Sequence, residues 1–174
     1  MSEKVPLVGI MMGSDNDYDI MVESAKVLKQ FDVPFEMIVS SAHRTPERTV
    51  EYVRGARDRG LKVLIAGAGA AAHLAGVVAA ETMLPVIAVP IDATSMRGLD
   101  ALLAMVQMPA GIPVATMAIG AAGARNAGIF AARILATEDA ALEERLLKFK
   151  QDMAEGVIKK SDRVQEKMQE DGLV

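Results

Sequence analysis

The chain has 174 residues and a mass of 18.5 kDa, the length of one domain able to bury its own core. Hydrophobic residues make up 51% and aromatics only 3%, the net charge is −4, and no basic tract is present, which argues against nucleic-acid binding. There is no Cys, which excludes a disulfide scaffold, a thiolate nucleophile and a cysteine zinc cluster, and fits a cytoplasmic protein.

The first apolar run, Leu7 to Met12, is short, continuous and ended by Gly13, as expected of a strand buried on both faces. A helix is predicted over 18–31, with Ile20, Met21, Ala25 and Leu28 on one side, and a second strand over 34–40. Pro46 suits the first turn of a helix, where its missing N–H costs nothing; that helix is expected to run to about Arg59 and stop at Gly60. Strands over 62–66, 85–89 and 114–119 then alternate with helices over 70–82, 99–106 and 122–135. Repeated strand–helix units with short connections imply a parallel sheet covered on both faces, a doubly wound, flavodoxin-like three-layer sandwich. In such sheets ligands lie beyond the carboxyl ends of the strands, which directs attention to the loops after strands one, two, three and five.

The division expected is a flavodoxin-like domain over 1–136 and a helical extension over 137–174, in which Leu142, Leu146, Phe149 and Met153 recur at helical spacing among charges. That extension packs either on its own domain or on a neighbouring subunit. Mean hydropathy of +0.24, high for a soluble monomer, favours a large subunit interface. Two stretches, 63–80 and 101–124, carry no charged residue and are long enough to span a membrane. Gly67, Gly69, Gly76 and His73 interrupt the first, and Pro109, Gly111 and Pro113 the second, so both read as buried strand–loop–helix segments. The N-terminus, Met1 to Pro6, has no basic region followed by a long apolar one, so no signal peptide is expected.

Three loops carry candidate chemistry. After the first strand comes Gly13-Ser14-Asp15-Asn16-Asp17, where Ser14 and the N–H groups opening the next helix suit a phosphate and Asp17 suits ribose hydroxyls. The same residues equally make a helix cap. It is neither a Walker loop nor a dinucleotide fingerprint. After the second strand comes Ser40-Ser41-Ala42-His43-Arg44-Thr45-Pro46. Arg44 has the planar fork that suits phosphate, and His43 exchanges a proton near neutral pH. After the third comes Ala66-Gly67-Ala68-Gly69-Ala70-Ala71-Ala72-His73-Leu74, whose tiny side chains allow either ligand approach or close helix–sheet packing. His73 is open to a functional or a structural role. The segments 107–113 and 119–127, rigid with Pro and Gly, read as packing elements, between subunits in particular. No metal-ligand cluster, nucleophile elbow or glycosidase carboxylate pair appears. The residues describe a small α/β enzyme that binds a phosphorylated sugar-like ligand and moves protons through one His.

Taken in order, Gly13-Ser14-x-x-Asp17, Ser41-Ala42-His43-Arg44-Thr45-Pro46, Ala66-Gly67-Ala68-Gly69-x-Ala71-Ala72-His73-Leu74 and Val106-Gln107-Met108-Pro109 resemble the 5-(carboxyamino)imidazole ribonucleotide mutase family of purine biosynthesis. The resemblance runs from about Val8 to Leu135. It implies a flavodoxin-like fold, a homo-octamer, no cofactor and a small ribonucleotide substrate. The implied reaction moves a carboxyl group from an exocyclic amine to the adjacent ring carbon. By the same resemblance His43 is the general acid/base, Ser14, Asp17 and Arg44 hold the ribose phosphate, and Ser41, Ala42, Gly69, His73 and Leu74 line the base and carboxylate pocket. The chain departs from the family's usual pattern at Ala70, where a second Gly is common, at Ala75 (Pro) and at Tyr18 (Trp). The related direct carboxylase typically has Lys in place of Arg44. That carboxylase, using free carbon dioxide, and a non-catalytic nucleotide-binding module are the alternative readings.

Overall fold

The computed structural model describes residues 5–174. Residues 1–4, on which the expectation about a signal peptide partly rests, lie outside the described residues. The chain divides into two compact units, one ending at Leu135 and one spanning Ala136–Val174.

In the first unit five strands, β1 (Val8–Met12), β2 (Phe35–Val39), β3 (Val63–Gly69), β4 (Val86–Ile91) and β5 (Ala115–Thr116), form one sheet in the order β2-β1-β3-β4-β5. Every neighbouring pair is parallel. This is the flavodoxin-like order, and its topological switch point lies between β1 and β3. The helices are α1 (Tyr18–Gln30), α2 (Pro46–Arg54), α3 (Leu74–Ala80), α4 (Leu99–Val106) and α5 (Ala121–Ala136). All residues of β1 and β4 are buried, as are those of β3 up to Ala68, because helices cover both faces.

On one face, Leu64, Ala66 and Ala88 join Val53 of α2, Ala75 and Val78 of α3, and Ala101 and Met105 of α4 in a single core. On the other, Met21 of α1 lies so close over Gly67 that a Cβ there would fall within its side chain. The helices α1 and α5 meet through the Ser24 hydroxyl, which donates to the Ala124 carbonyl at 2.6 Å, and through Gly128, whose missing Cβ leaves room for Val27. A composition rich in Ala and Gly thus gains its burial by letting backbones approach closely.

Three boundaries differ from those expected. The helix α2 ends at Arg54 rather than near Arg59, and 55–60 form turns that begin at Gly55, a poor helix former. Strand β3 continues to Gly69, paired with β4 as far as Ile91, so α3 starts at Leu74 instead of Ala70. Ala70, with φ of +53°, adopts the left-handed conformation that breaks the chain between them. Only Ala115 and Thr116 of the expected fifth strand pair with β4. Pro90 lacks an N–H on the side where its carbonyl accepts from Gly120, so the ladder cannot continue.

The second unit contains one long helix, α6 (Ala140–Glu170), capped by Asp139, whose carboxylate accepts from the Leu142 N–H at 3.0 Å. Among the described residues no helix is long and apolar enough to cross a membrane; the two uncharged stretches fold mainly as β3 with α3 and as α4, β5 and the start of α5.

Candidate active site

Beyond the carboxyl ends of β1, β2 and β3 lies a cavity of about 420 Å³, within the range of small-molecule sites. The loop after β1 supplies Gly13, Ser14, Asn16 and Asp17; the loop after β2 supplies Ser41, Ala42, His43 and Arg44; the end of β3 and the chain beyond it supply Ala68, Gly69, Ala70, Ala71 and Leu74. The fourteenth residue, Ala93, comes from the loop after β4. No residue after β5 lines it, although the rule for parallel sheets directed attention to that loop as well.

The loop after β1 is folded by its own polar groups. The Ser14 Oγ accepts from the Asn16 N–H at 3.3 Å, and the Asp17 carboxylate accepts from the Ser14 N–H at 3.0 Å, a reciprocal capping box. Capping and lining the cavity are therefore not alternatives here, since the same two residues do both. Asp17 is buried, which pushes its carboxyl above the usual range; the Ser14 and Gly13 N–H groups and the Arg44 charge act in the opposite sense.

The loop after β2 is a closed ring. The Thr45 hydroxyl donates to the Ser41 carbonyl at 3.0 Å and accepts from the Ser41 N–H at 3.1 Å, while the Arg44 N–H donates to Ser41 Oγ at 3.2 Å. The Arg44 guanidinium donates to the Gly13 carbonyl at 3.1 Å, bracing the first loop against the second. Its remaining donors stay available for an anion. An adjoining cavity of about 420 Å³ shares Ser14, Ser41 and Arg44 with the first and is also lined by Arg48, a residue no motif singled out.

His43 is exposed and lines the main cavity. Its Nε2 lies 3.0 Å from Nδ1 of His73, with the rings edge to face and centroids 5.1 Å apart. One proton sits between these two nitrogens, since two donors cannot face each other across a hydrogen bond. His73 itself, at the residue preceding α3, is not on the cavity wall; it backs His43 instead. All the other residues expected at the site, Ser14, Asp17, Ser41, Ala42, His43, Arg44, Gly69 and Leu74, line the cavity. Gly69 owes its identity to packing as much as to access, because a Cβ there would stand 2.5 Å from the Ala93 Cβ and 2.9 Å from the Ile91 carbonyl. Sequence reasoning missed Ala93, and a lone Ala in a loop carries no signal that would have found it. Among the described residues no group of three or more His, Asp or Glu side chains converges as a metal site would.

Comparison with known proteins places these features in context. The AIR carboxylase family model matches residues 7–156. The chain is 51% identical over 166 residues to N5-carboxyaminoimidazole ribonucleotide mutase from Pyrococcus horikoshii, covering 95% of this chain and 93% of that protein. It is also 51% identical over 160 residues to phosphoribosylaminoimidazole carboxylase from Schizosaccharomyces pombe, covering 92% of this chain but only 29% of that one. The crystal structure of Treponema denticola PurE superposes with a TM-score of 0.82 at 29% identity, over 91% of this chain and 98% of that chain.

Proposed function

Because the chain belongs to the AIR carboxylase family, we propose that it is an isomerase of purine biosynthesis, an N5-carboxyaminoimidazole ribonucleotide mutase. It moves the carboxyl group from the exocyclic nitrogen of the ribonucleotide to the neighbouring ring carbon. The observation that carries the site assignment is the meeting of His43, Arg44, Ser14 and Asp17 around one cavity walled by Ala and Gly.

In this reading the ribose phosphate is held by Ser14 and Arg44, with Arg48 adding a second cation from the adjoining cavity, and Asp17 accepts from ribose hydroxyls. The aminoimidazole lies toward Ser41, Ala42, Gly69 and Leu74. Protonated His43 gives its proton to the carbamate nitrogen as the N–C bond breaks, releasing carbon dioxide and leaving the free amine. The electron-rich ring carbon next to that amine attacks the carbon dioxide and forms the new C–C bond. His43, now neutral, removes the hydrogen from the same ring carbon and restores aromaticity. Protons and electrons balance, and the product is an isomer of the substrate. Small walls keep the released carbon dioxide beside the ring long enough to be recaptured. His73 Nδ1 accepts from His43 Nε2 throughout and holds the ring in place, which leaves His43 Nδ1 to give and take the transferred proton.

The same reading makes the protein a cytoplasmic homo-octamer. Its support is an apolar face on α4, where Leu99, Leu103 and Val106 are 45–51% exposed at helical spacing, and a second on α6 at Val157, Ile158 and Val164. The likeness to the fission-yeast carboxylase gives direct carboxylation as the second reading. One assay separates them. In bicarbonate-depleted buffer the mutase converts the carbamate ribonucleotide at full rate, whereas a carboxylase acts on the aminoimidazole ribonucleotide only when carbon dioxide is added. His43→Asn is expected to keep ribonucleotide affinity and lose about 10²–10⁴-fold in turnover. Turnover that survives this change removes His43 from its role.

A further inference from the structure

Beneath the ring formed by Ser41 to Thr45 lie two hydroxyls that the reaction does not use. Ser40, at the end of β2, is 1% exposed and Thr49, in α2, is fully buried. Their oxygens stand 2.8 Å apart. The Thr49 hydroxyl also donates to the Thr45 carbonyl at 3.1 Å, which uses its only proton. Ser40 is therefore the donor in the bond between them. The Ser40 N–H in turn donates to the Met12 carbonyl at 2.9 Å, at the end of β1.

The bonds form one unbroken path. It starts at the β1 backbone, passes through Ser40, Thr49 and Thr45, and continues through the Thr45 hydroxyl to Ser41 and from Ser41 Oγ to the Arg44 N–H. His43 is held inside this closed ring. Hydrophobic residues would fill the two buried places without any need for a hydroxyl, and buried polar pairs are otherwise a cost. Their position is directly under the loop that presents His43 and Arg44.

We propose that Ser40 and Thr49 are positioning residues for the reaction, a buried hydroxyl clamp that sets the height and orientation of the His43–Arg44 loop over the cavity. This rests on the roles given above to His43 and Arg44. The clamp touches no substrate atom; it acts through the Thr45 carbonyl and the ring it closes.

Three variants test it, each assayed for thermal melting, steady-state kinetics and the NMR signals of the His43 imidazole. Thr49→Val keeps the shape but leaves the Ser40 hydroxyl unpaired, so melting temperature falls and kcat drops about tenfold through misplacement of the loop. Thr49→Ser restores both. The double change Ser40→Ala with Thr49→Val removes both hydroxyls, so stability returns toward wild type while kcat stays about tenfold low, because the hydroxyl's tie to the Thr45 carbonyl is still missing and only the Thr49 N–H holds that oxygen, at 3.1 Å. Recovery of kcat together with stability in the double variant would overturn the proposal and leave the pair a structural feature only. An unchanged kcat in Thr49→Val would do the same. The imidazole signals are expected to move in both variants that lack the Thr49 hydroxyl and to return in Thr49→Ser. They read the clamp even if wild-type protein fails to turn over the carbamate ribonucleotide, a result that would sink the mutase reading and not this one. Imidazole signals identical in all proteins would sink the clamp.

Discussion

The loops after β2 and β3 both line the same cavity but are held by opposite means. The β2 loop is held by hydroxyls and backbone groups in a closed ring, braced to Gly13 through Arg44. In the β3 loop, among the described residues, the only side-chain hydrogen bond is that between His73 and His43. Its shape comes instead from close packing of Gly69 on Ala93 and Ile91, a left-handed Ala70, and two tight backbone turns in which Ala72 and His73 donate to Ala70 and Ala71 at 2.8 Å. A loop that must grip charge carries polar side chains and spends some of them on its own rigidity. A loop that, in the proposed reading, lets a flat ring and carbon dioxide approach carries almost no side chain, and its rigidity falls to the backbone.

That contrast predicts different failures on the two sides. On the polar side, Arg44→Ala removes the brace to Gly13 and, in the proposed reading, the anion anchor. Affinity for the ribonucleotide, measured by calorimetry, is expected to fall about 10–100-fold, the worth of a charge-assisted contact, while an analogue without phosphate loses little. Equal losses for both ligands would mean that Arg44 serves the loop and not the phosphate. On the packed side, Gly69→Ala forces a methyl group against Ala93 and the Ile91 carbonyl. A loss of about 1–3 kcal/mol in chemical denaturation is expected, the usual cost of overpacking. Full stability in this variant would show that the β3 loop yields, against the rigidity argued for it. Smallest is Ala70→Gly. It removes left-handed strain of about 1–2 kcal/mol, and the freer unfolded chain takes back about 0.4–1 kcal/mol. A net gain of about 0–1.6 kcal/mol is expected, and a net loss would show that the Ala70 methyl packs usefully in the cavity wall.

Much of this could be read before any coordinates. The alternation of short apolar runs with amphipathic segments led to the parallel three-layer fold, and Gly13 and Pro46 marked a real turn and a real helix start, whereas the helix expected to stop at Gly60 already ends at Arg54. Ser14, Asp17, His43, Arg44 and Gly69 stood out because polar or side-chain-free residues at a strand's carboxyl end suit a ligand site, although Ser14 and Asp17 also cap their loop and Gly69 also packs. The errors have local causes. The expected start of the third helix at Ala70 failed because Ala is a strong helix former, and nothing in its identity announces a left-handed conformation. The fifth strand was expected to be long because Val114 to Ile119 is apolar, but Pro90 of the neighbouring strand β4 cannot complete its ladder.

Periodicity and turn chemistry, which depend on neighbours a few residues apart, determined the order of elements, the class of fold and the loops that bear the chemistry. Only the folded chain decided that His73 backs His43 instead of lining the cavity, that Ala93 enters from a fourth loop, and that Ser40 and Thr49 meet beneath the ring. Those relations join residues from different elements, and a distance of about 3 Å between side chains is set by how helices and strands pack, which a linear pattern does not encode.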